Sequence, residues 1–199
     1  MKYQIKDIVE IQIGYQSRGK ITPDSKGDFR IIQMKDFNDK YVLEVKSIST
    51  FKPERDPNKY LVRLGDVLFL SRGRYNFGYT IEEPMPNTLF ASYFYNLRLT
   101  IDGVLPEYLG WYLNSPVAQS TLQSKSRGSN IPYIPRASFE EVEVEVPPVT
   151  VQKKIVALAT LQKKEQELTS SLLKKRKQLV DAVCNNSVKE HSIALKGEK

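Results

Sequence analysis

The sequence predicts an α+β fold, in which a β-rich N-terminal domain with packed helices is followed by a long C-terminal helix of the coiled-coil type. Short runs of β-branched and aromatic residues, separated by Gly and Pro, fill residues 1–148. No Gly or Pro occurs between Val151 and Val183. We therefore expect a globular domain at 1–148, a long helix for dimerisation and spacing at 149–184, and a disordered polar tail at 185–199.

Six segments have the two-residue alternation or the β-branched enrichment that is typical of strands. They are residues 9–15, 29–34, 41–45, 66–72, 94–101 and 142–146. In the last segment, Val142, Val144 and Val146 point to one face and three glutamates to the other. This alternation predicts a half-buried strand with a solvated acidic face, not a catalytic cluster.

Apolar residues at helical spacing predict a helix that packs on these strands. They are Leu105, Tyr108, Leu109, Tyr112 and Leu113. Pro106 suits the first helical position, and Pro116 marks an interruption.

The composition changes after Pro147 and Pro148, where Ala, Leu, Lys, Gln and Glu begin to dominate. Helix propensity then favours one helix of ~33 residues, roughly 50 Å long, with Thr150 as its N-cap. A heptad assignment defines two seam positions. The first holds Val151, Leu158, Glu165, Leu172 and Leu179, and the second holds Lys154, Leu161, Leu168, Lys175 and Ala182.

Seven of these ten seam residues are apolar, and Glu165 and Lys175 destabilise a seam unless they pair or reach its edge. A helix this long is not stable alone in water, and the chain offers no second helix with a matching pattern. We therefore expect another chain to cover the apolar stripe. The expected dimerisation residues are Val151, Leu158, Leu161, Leu168, Leu172 and Leu179.

The net charge of +7 is unevenly distributed. Residues 1–150 hold 19 Lys or Arg against 18 Asp or Glu, whereas residues 151–199 hold 11 against 5. The globular domain would thus bind a polyanion only through local clusters. The lysines of the long helix either form a solvated face or contact phosphate, and the sequence leaves both interpretations open.

Three segments combine cations with a flexible turn: "YQSRGKI", "SRGRYNFGYT" and "LQSKSRGSN". Arg grips phosphate or reads guanine, Asn reads adenine, and Gly permits a close backbone approach. The alternative is that these are ordinary polar loops. The candidate DNA-binding residues are Arg18, Lys20, Arg72, Arg74, Tyr75, Asn76, Lys125, Arg127, Ser129 and Asn130.

The sequence offers little for catalysis. His191 is the one histidine and Cys184 the one cysteine, which argues against a catalytic triad, a multi-His metal site, a Cys-based zinc site or an intrachain disulfide. Neither a P-loop nor a dinucleotide fingerprint is present. We expect no catalytic residue, metal or cofactor, although a lone carboxylate site stays open. Without a long apolar run, we expect a cytoplasmic protein.

Four motifs occur in a recognisable order: "IKDIVEIQIGY", "GDVLFLSRG", "PEYLGWYLNS" and "GSNIPYIPRASFEEVEVEVPPVTVQKKIVAL". Over residues 1–184 the chain resembles the specificity subunit of type I restriction-modification enzymes. Members usually carry two tandem units, each a target recognition domain followed by a conserved helix, and this chain has one. The resemblance assigns structural roles to Gly128, Pro132, Pro135, Pro147, Pro148 and Gln152.

The resemblance implies a non-catalytic protein that reads a double-stranded DNA half-site. A separate modification subunit would methylate adenine, and a restriction subunit would join the complex. The paired helices of the family form an antiparallel coiled coil, so two copies joined through residues 151–183 would read an inverted repeat. Two other functions stay open, a coiled-coil adaptor that binds only protein and a metal-dependent nuclease.

Overall fold

The computed structural model describes residues 1–197, with side chains as far as Asn186. The chain divides into two compact units, of which the first is Met1–Val156 and the second begins at Ala157. The strands all belong to the first unit within the described residues. Mixed sheets and helices, followed by a long C-terminal helix, confirm the α+β prediction.

Nine strands form three sheets in the described part of the chain. They are β1 Lys2–Gln4, β2 Val9–Ile13, β3 Phe29–Ile32, β4 Thr50–Phe51, β5 Val67–Leu70, β6 Gly78–Thr80, β7 Thr88–Phe90, β8 Phe94–Leu99 and β9 Glu143–Glu145. The helices are α1 Ile5–Ile8, α2 Pro106–Leu113, α3 Pro116–Ser124, α4 Arg136–Glu140 and α5 Val149–Gly197.

The largest sheet is antiparallel and has the order β2-β8-β5-β6. A second sheet has the order β4-β3-β7, and its β3–β7 pair is parallel. A third pairs β1 with β9 and places Tyr3 opposite Val144, so that the N-terminus is bonded to the strand that precedes α5.

Strand β5 is the centre of the first unit because both of its faces are buried. Val67 and Phe69 belong to the core formed with α2, α3 and α4, where the Phe69 ring stacks on Phe139 with centroids 4.4 Å apart. Leu68 and Leu70 belong to a second core on the opposite face. Burial on both faces explains why this segment reads as a continuous apolar run.

Most of the predicted elements are confirmed. Helices α2 and α3 begin at Pro106 and Pro116, and Ser115 caps α3 by accepting from the Ala118 amide at 3.3 Å. Val142 and Val144 are buried while the neighbouring glutamates are exposed, as the alternation predicts.

The strand predicted at 41–45 is wrong. Tyr41 has a φ of +57° and the segment ends in a 3₁₀ helix, Val45–Ser47. The Asn38 side-chain oxygen accepts from the amides of Lys40 and Val42 at 3.0 and 3.1 Å, so a local turn replaces the strand ladder. Strands β1, β4, β6 and β7 were not predicted, because two or three residues are too few to show an alternation.

Helix α5 starts at the first residue of the segment 149–184, and its assignment continues past residue 184. Its first residue is Val149, and the Pro148 carbonyl accepts from the Val151 and Gln152 amides at 2.8 and 3.1 Å. Pro148 therefore occupies the capping position, and the N-cap prediction for Thr150 is wrong. The helix is assigned through Gly197, which includes most of the tail predicted at 185–199. Side chains beyond Asn186 lie outside the described residues.

A buried glutamine anchors the first turn of α5. Gln152 is fully buried; its side-chain oxygen accepts from the Leu105 amide at 2.9 Å, and its side-chain nitrogen donates to the Gly103 and Pro147 carbonyls at 2.7 and 2.8 Å. One amide therefore satisfies three backbone groups of two different loops. Its ability both to donate and to accept is what this position requires.

We predict that Gln152→Glu lowers the free energy of unfolding by about 2–4 kcal/mol, since a carboxylate would face two carbonyls and leave them without a donor. Chemical denaturation measures the change. The control is Gln166→Glu on the exposed surface of α5, which should change stability by less than roughly 0.5 kcal/mol. Equal stability of the two variants would contradict the anchoring role.

Candidate nucleic-acid interface

The segment that follows β5 is held by backbone pairing to a distant part of the chain. The Ile134 amide donates to the Ser71 carbonyl at 2.8 Å, and the Gly73 amide donates to the Pro132 carbonyl at 2.9 Å. Gly73 has a φ of +125°, a conformation that L side chains rarely adopt. The cationic segment "SRGR" is therefore fixed in place by residues 132–134.

The same strand-like segment also binds the third cationic cluster. Arg127 and Tyr133 exchange both backbone hydrogen bonds at 2.8 Å, which closes a short hairpin. Gly128 makes this turn possible with a φ of +92°, and a Cβ there would lie 3.1 Å from the Ile131 carbonyl oxygen. Two clusters that are far apart in sequence thus form one surface. We call residues 71–76 and 125–133 the composite loop surface.

Cations and aromatic rings are interleaved on the composite loop surface. The Arg72 guanidinium carbon lies 6.0 Å from the centroid of the Tyr133 ring, and that of Arg74 lies 5.9 Å from the Tyr75 ring. Tyr75 is 60% exposed and Tyr133 is 40% exposed. Guanidinium groups and exposed rings in contact are suited to phosphate binding and to packing against bases.

The charges of this surface are only partly neutralised by the protein. Within the described residues, Arg72, Arg74 and Arg127 have no carboxylate at ion-pair distance. Lys125 differs, because its amine lies 3.4 Å from a Glu141 carboxylate oxygen. Three exposed guanidinium groups are thus available to an external anion.

The other candidates have different surroundings. Asn76 is half-buried and its side-chain nitrogen donates to the Leu70 carbonyl at 2.9 Å, so its donor stabilises the loop. Ser129 and Asn130 are exposed at the tip of the hairpin. Arg18 and Lys20 are exposed, and Lys20 lines a separate pocket of ≈ 360 Å³ with Tyr15. No described hydrogen bond, ion pair or ring contact joins this first cluster to the composite loop surface.

Two residues of this surface were missed in the sequence. Ile131 is 69% exposed, and Tyr133 packs under Arg72 while pairing with Arg127. Only the two-residue spacing of Ile131 and Tyr133 around Pro132 signals an extended segment. Nothing in the local sequence indicates that this segment lies between residues 71–73 and Arg127.

An acidic pocket lies elsewhere on the first unit. It has a volume of ≈ 310 Å³, and its lining includes Arg30, Tyr79, Glu82 and Glu83. Burial, followed by the nearby charges of Glu82 and Glu83, raises the pKa of Tyr79. Two carboxylates disfavour a phosphate there, so the composite loop surface is the better candidate for a polyanion.

Neither a metal site nor a membrane span is found among the described residues. No three His, Cys, Asp or Glu side chains in that part of the chain are placed to hold a metal ion. Likewise, none of the described helices combines the length and apolarity needed to cross a bilayer. The His191 side chain lies outside the described residues.

The predicted dimerisation residues are exposed on α5. In the second unit Leu158, Leu161, Leu168, Leu172 and Leu179 are each between 58% and 68% exposed. Leu173 and Val180 are also exposed, but they lie outside the predicted seam positions. Val151 belongs to the first unit and lines an apolar groove of ≈ 680 Å³ together with Trp111. Exposed apolar surface of this extent is typical of an interaction site.

Comparison with known proteins identifies the family. The family model for the type I restriction modification DNA specificity domain matches residues 1–179. The chain belongs to this family. A search of the curated proteins found no match.

Solved structures support the fold of this specificity domain. The S subunit of a type I restriction-modification system from M. genitalium aligns with a TM-score of 0.58 and 14% identity, over 91% of this chain and 43% of that chain. The HsdS subunit from Thermoanaerobacter tengcongensis aligns with a TM-score of 0.55 and 18% identity, over 85% of this chain and 38% of that chain.

A third structure, titled for complex assembly and conformational transition of the type I R-M system, aligns with a TM-score of 0.55 and 18% identity. The alignment covers 84% of this chain and 39% of that chain. The specificity domain described here therefore spans about two fifths of the length of the structures that it matches.

Proposed function

We propose that this specificity domain binds a DNA half-site in a sequence-specific way and directs a separate adenine methyltransferase subunit, and a restriction subunit, to that site. The observation that carries the proposal is the composite loop surface. Its three guanidinium groups have no carboxylate partner among the described residues, and those of Arg72 and Arg74 lie beside exposed tyrosine rings. Membership of the DNA specificity domain family supports the same proposal.

The side chains of this surface suit two tasks, which are to position the DNA through its phosphates and to recognise its bases. Arg72, Arg74 and Arg127 each present a guanidinium group, which binds either two phosphate oxygens or the two acceptors of a guanine edge. Ser129 and Asn130 add short polar groups at the hairpin tip, where donors and acceptors can meet base edges. Because the loop backbones are paired, these side chains are presented by a rigid support.

The chemistry of methylation belongs, in this proposal, to the partner subunit. The role of the specificity domain is then to choose the DNA site and to hold the methyltransferase over it. The exposed apolar stripe of α5 offers the surface for assembly, with a second copy of the chain and with the methyltransferase subunit. A pair of copies would place two reading surfaces on one DNA molecule.

We predict that Arg72→Ala combined with Arg74→Ala weakens specific DNA binding more than about tenfold, since one good base-contacting pair contributes roughly 1–3 kcal/mol. The measurement is a titration at fixed salt with the DNA site identified from methylated sequences in cells that also express the methyltransferase. The control is Arg55→Ala with Arg63→Ala, which removes the same charge from exposed positions outside the composite loop surface. Unchanged binding by the Arg72 and Arg74 variant would refute the assignment.

Sequence preference separates the proposal from the adaptor hypothesis. The adaptor hypothesis predicts weak binding that depends on salt and not on DNA sequence. A metal-dependent nuclease would instead cleave DNA when the pure chain is supplied with divalent metal.

We predict that the full chain is a dimer in the absence of DNA and of other subunits, because the stripe on α5 needs a partner. Sedimentation at micromolar concentration should give about twice the 22.8 kDa of one chain. Leu172→Asp should yield monomers, whereas Leu173→Asp, the adjacent exposed leucine outside the predicted seam, should stay dimeric. A monomeric wild-type chain would remove the support for dimerisation.

A further inference from the structure

In the second unit of the chain, two residues of opposite charge interrupt the apolar seam of α5. Between Leu158 and Ala182 the seam holds six apolar residues and two charged ones, Glu165 and Lys175. Both charged side chains are exposed, and among the described residues neither has an ion-pair partner in its own chain. Their charges are therefore available to a second helix.

We propose that α5 pairs antiparallel with α5 of a second copy about a twofold axis at residue 170, so that Glu165 of each copy faces Lys175 of the other. This proposal rests on the dimer in the proposed function, takes the antiparallel orientation that the family resemblance implies, and adds the register. A twofold axis makes every contact occur twice, so one complementary pair becomes two.

The register follows from the positions of the seam residues. Around an axis at residue 170, residues equally far on either side of that position face each other. Glu165 and Lys175 are each five residues from the axis. The remaining layers are apolar, and they are Leu158 with Ala182, Leu161 with Leu179, and Leu168 with Leu172. Every layer between Leu158 and Ala182 is thus either apolar or charge-matched.

Neighbouring antiparallel registers lack this match. A shift of one heptad places Glu165 against Leu168 in one direction and against Ala182 in the other, while Lys175 faces Leu158 or Leu172. The dimer would then hold four charges against apolar partners, which is unfavourable for each of them. The two charged residues therefore select one register, as a polar seam residue does in other coiled coils.

A parallel pairing is disfavoured by the same residues. In a parallel, in-register dimer each seam residue meets its own copy, so Glu165 would face glutamate and Lys175 would face lysine. The antiparallel arrangement replaces both repulsions with attractions.

The residues beside the seam are compatible with the antiparallel register. Gln162 comes close to Arg176 of the second copy, and Lys164 comes close to Gln178 of the second copy. No like charges meet at these flanking positions. At the axis, small hydroxyl residues meet their own copies, which are Thr169 and Ser171. Small side chains allow the two helices to approach closely there.

The register also sets a distance. The residue that faces Leu158 is Ala182 of the other helix, so the two Leu158 residues lie about 36 Å apart along the axis at 1.5 Å per residue. A slip of one heptad would change this spacing by about 10 Å. A charge-selected register would therefore keep the two Leu158 residues at a constant separation.

Charge reversal in the full chain tests the pairing. Glu165→Lys and Lys175→Glu should each raise the dimer dissociation constant at least about tenfold, because each places like charges together in two layers. The double variant should return to within about threefold of the wild type, since it restores both pairs. Sedimentation equilibrium or analytical size exclusion over a concentration series provides the constants.

A matched control separates the seam from the general charge of the helix. Glu167 and Lys177 have the same charges and the same spacing as Glu165 and Lys175 but lie outside the seam. Glu167→Lys and Lys177→Glu should leave the dissociation constant within about twofold, as expected of solvated charges. Equal effects at the seam and at the control positions would overturn the proposed pairing.

Disulfide cross-linking tests the orientation. In a Cys184→Ser background, Leu158→Cys with Ala182→Cys should join two copies through two disulfides on mild oxidation. In a parallel dimer each cysteine would meet its own copy, so the single variants Leu158→Cys and Ala182→Cys would each cross-link. In the antiparallel register neither single variant should cross-link, because the two copies of either position lie about 36 Å apart along the axis. Absence of the cross-link in a chain that sediments as a dimer would overturn the antiparallel register.

The outcomes distinguish this inference from the proposed function. A dimer that is indifferent to charge reversal overturns the register and leaves DNA reading intact. A dimer that follows the charge rules but shows no sequence-specific DNA binding overturns the proposed function and leaves the register. A wild-type chain that is monomeric at micromolar concentration overturns the dimer and the register together.

Discussion

The buried side-chain amide of Gln152 is the contact on which the organisation of the first unit depends. It joins the loop before α2, the Pro147 carbonyl and the first turn of α5 through three hydrogen bonds. Glutamine is needed because the position must donate to two carbonyls and accept from one amide. The pairing of β1 with β9 also holds the N-terminus close to the start of α5, since Met1 and Val146 exchange backbone hydrogen bonds. The start of the long helix is thereby part of the folded domain.

The composite loop surface shows how a nearly neutral domain can present a cationic site. Most charges of the first unit are balanced overall, yet Arg72, Arg74 and Arg127 lack carboxylate partners among the described residues. Backbone bridges join Tyr133 to both Arg72 and Arg127, so two of these arginines lie on neighbouring segments. An assembly that holds like charges side by side gains free energy when an anion binds, and DNA phosphate is such an anion.

In our proposal, the apolar stripe of α5 determines both how strongly two copies associate and which register they adopt. Its exposed leucines supply apolar area without directional preference, so they favour association but tolerate many registers. Glu165 and Lys175 contribute less to association than leucines would, but in our proposal they make one antiparallel register better than its neighbours. A small loss of seam hydrophobicity then gives a defined register of the two helices.

Sequence patterns were sufficient for features that repeat over many residues or that use a distinctive residue. The Gly- and Pro-free run predicted α5, and the valine and glutamate alternation predicted β9 and its buried face. Proline at the first helical position marked the start of α2, and Pro116 marked an interruption, at which α3 begins. Local physics decides these cases, since periodicity and proline geometry act within a few residues.

The tertiary structure decided what depends on contacts between distant segments. The turn made by Asn38 overrode the strand-like composition at 41–45, and the short strands β1, β4, β6 and β7 form because partners elsewhere in the chain complete their hydrogen bonds. The same is true of the candidate site, where Tyr133 links Arg72 to Arg127 and leaves Arg18 and Lys20 on a separate loop. Backbone pairing between segments that are tens of residues apart produces no pattern in the local sequence. Only the folded chain therefore shows which cations share a surface.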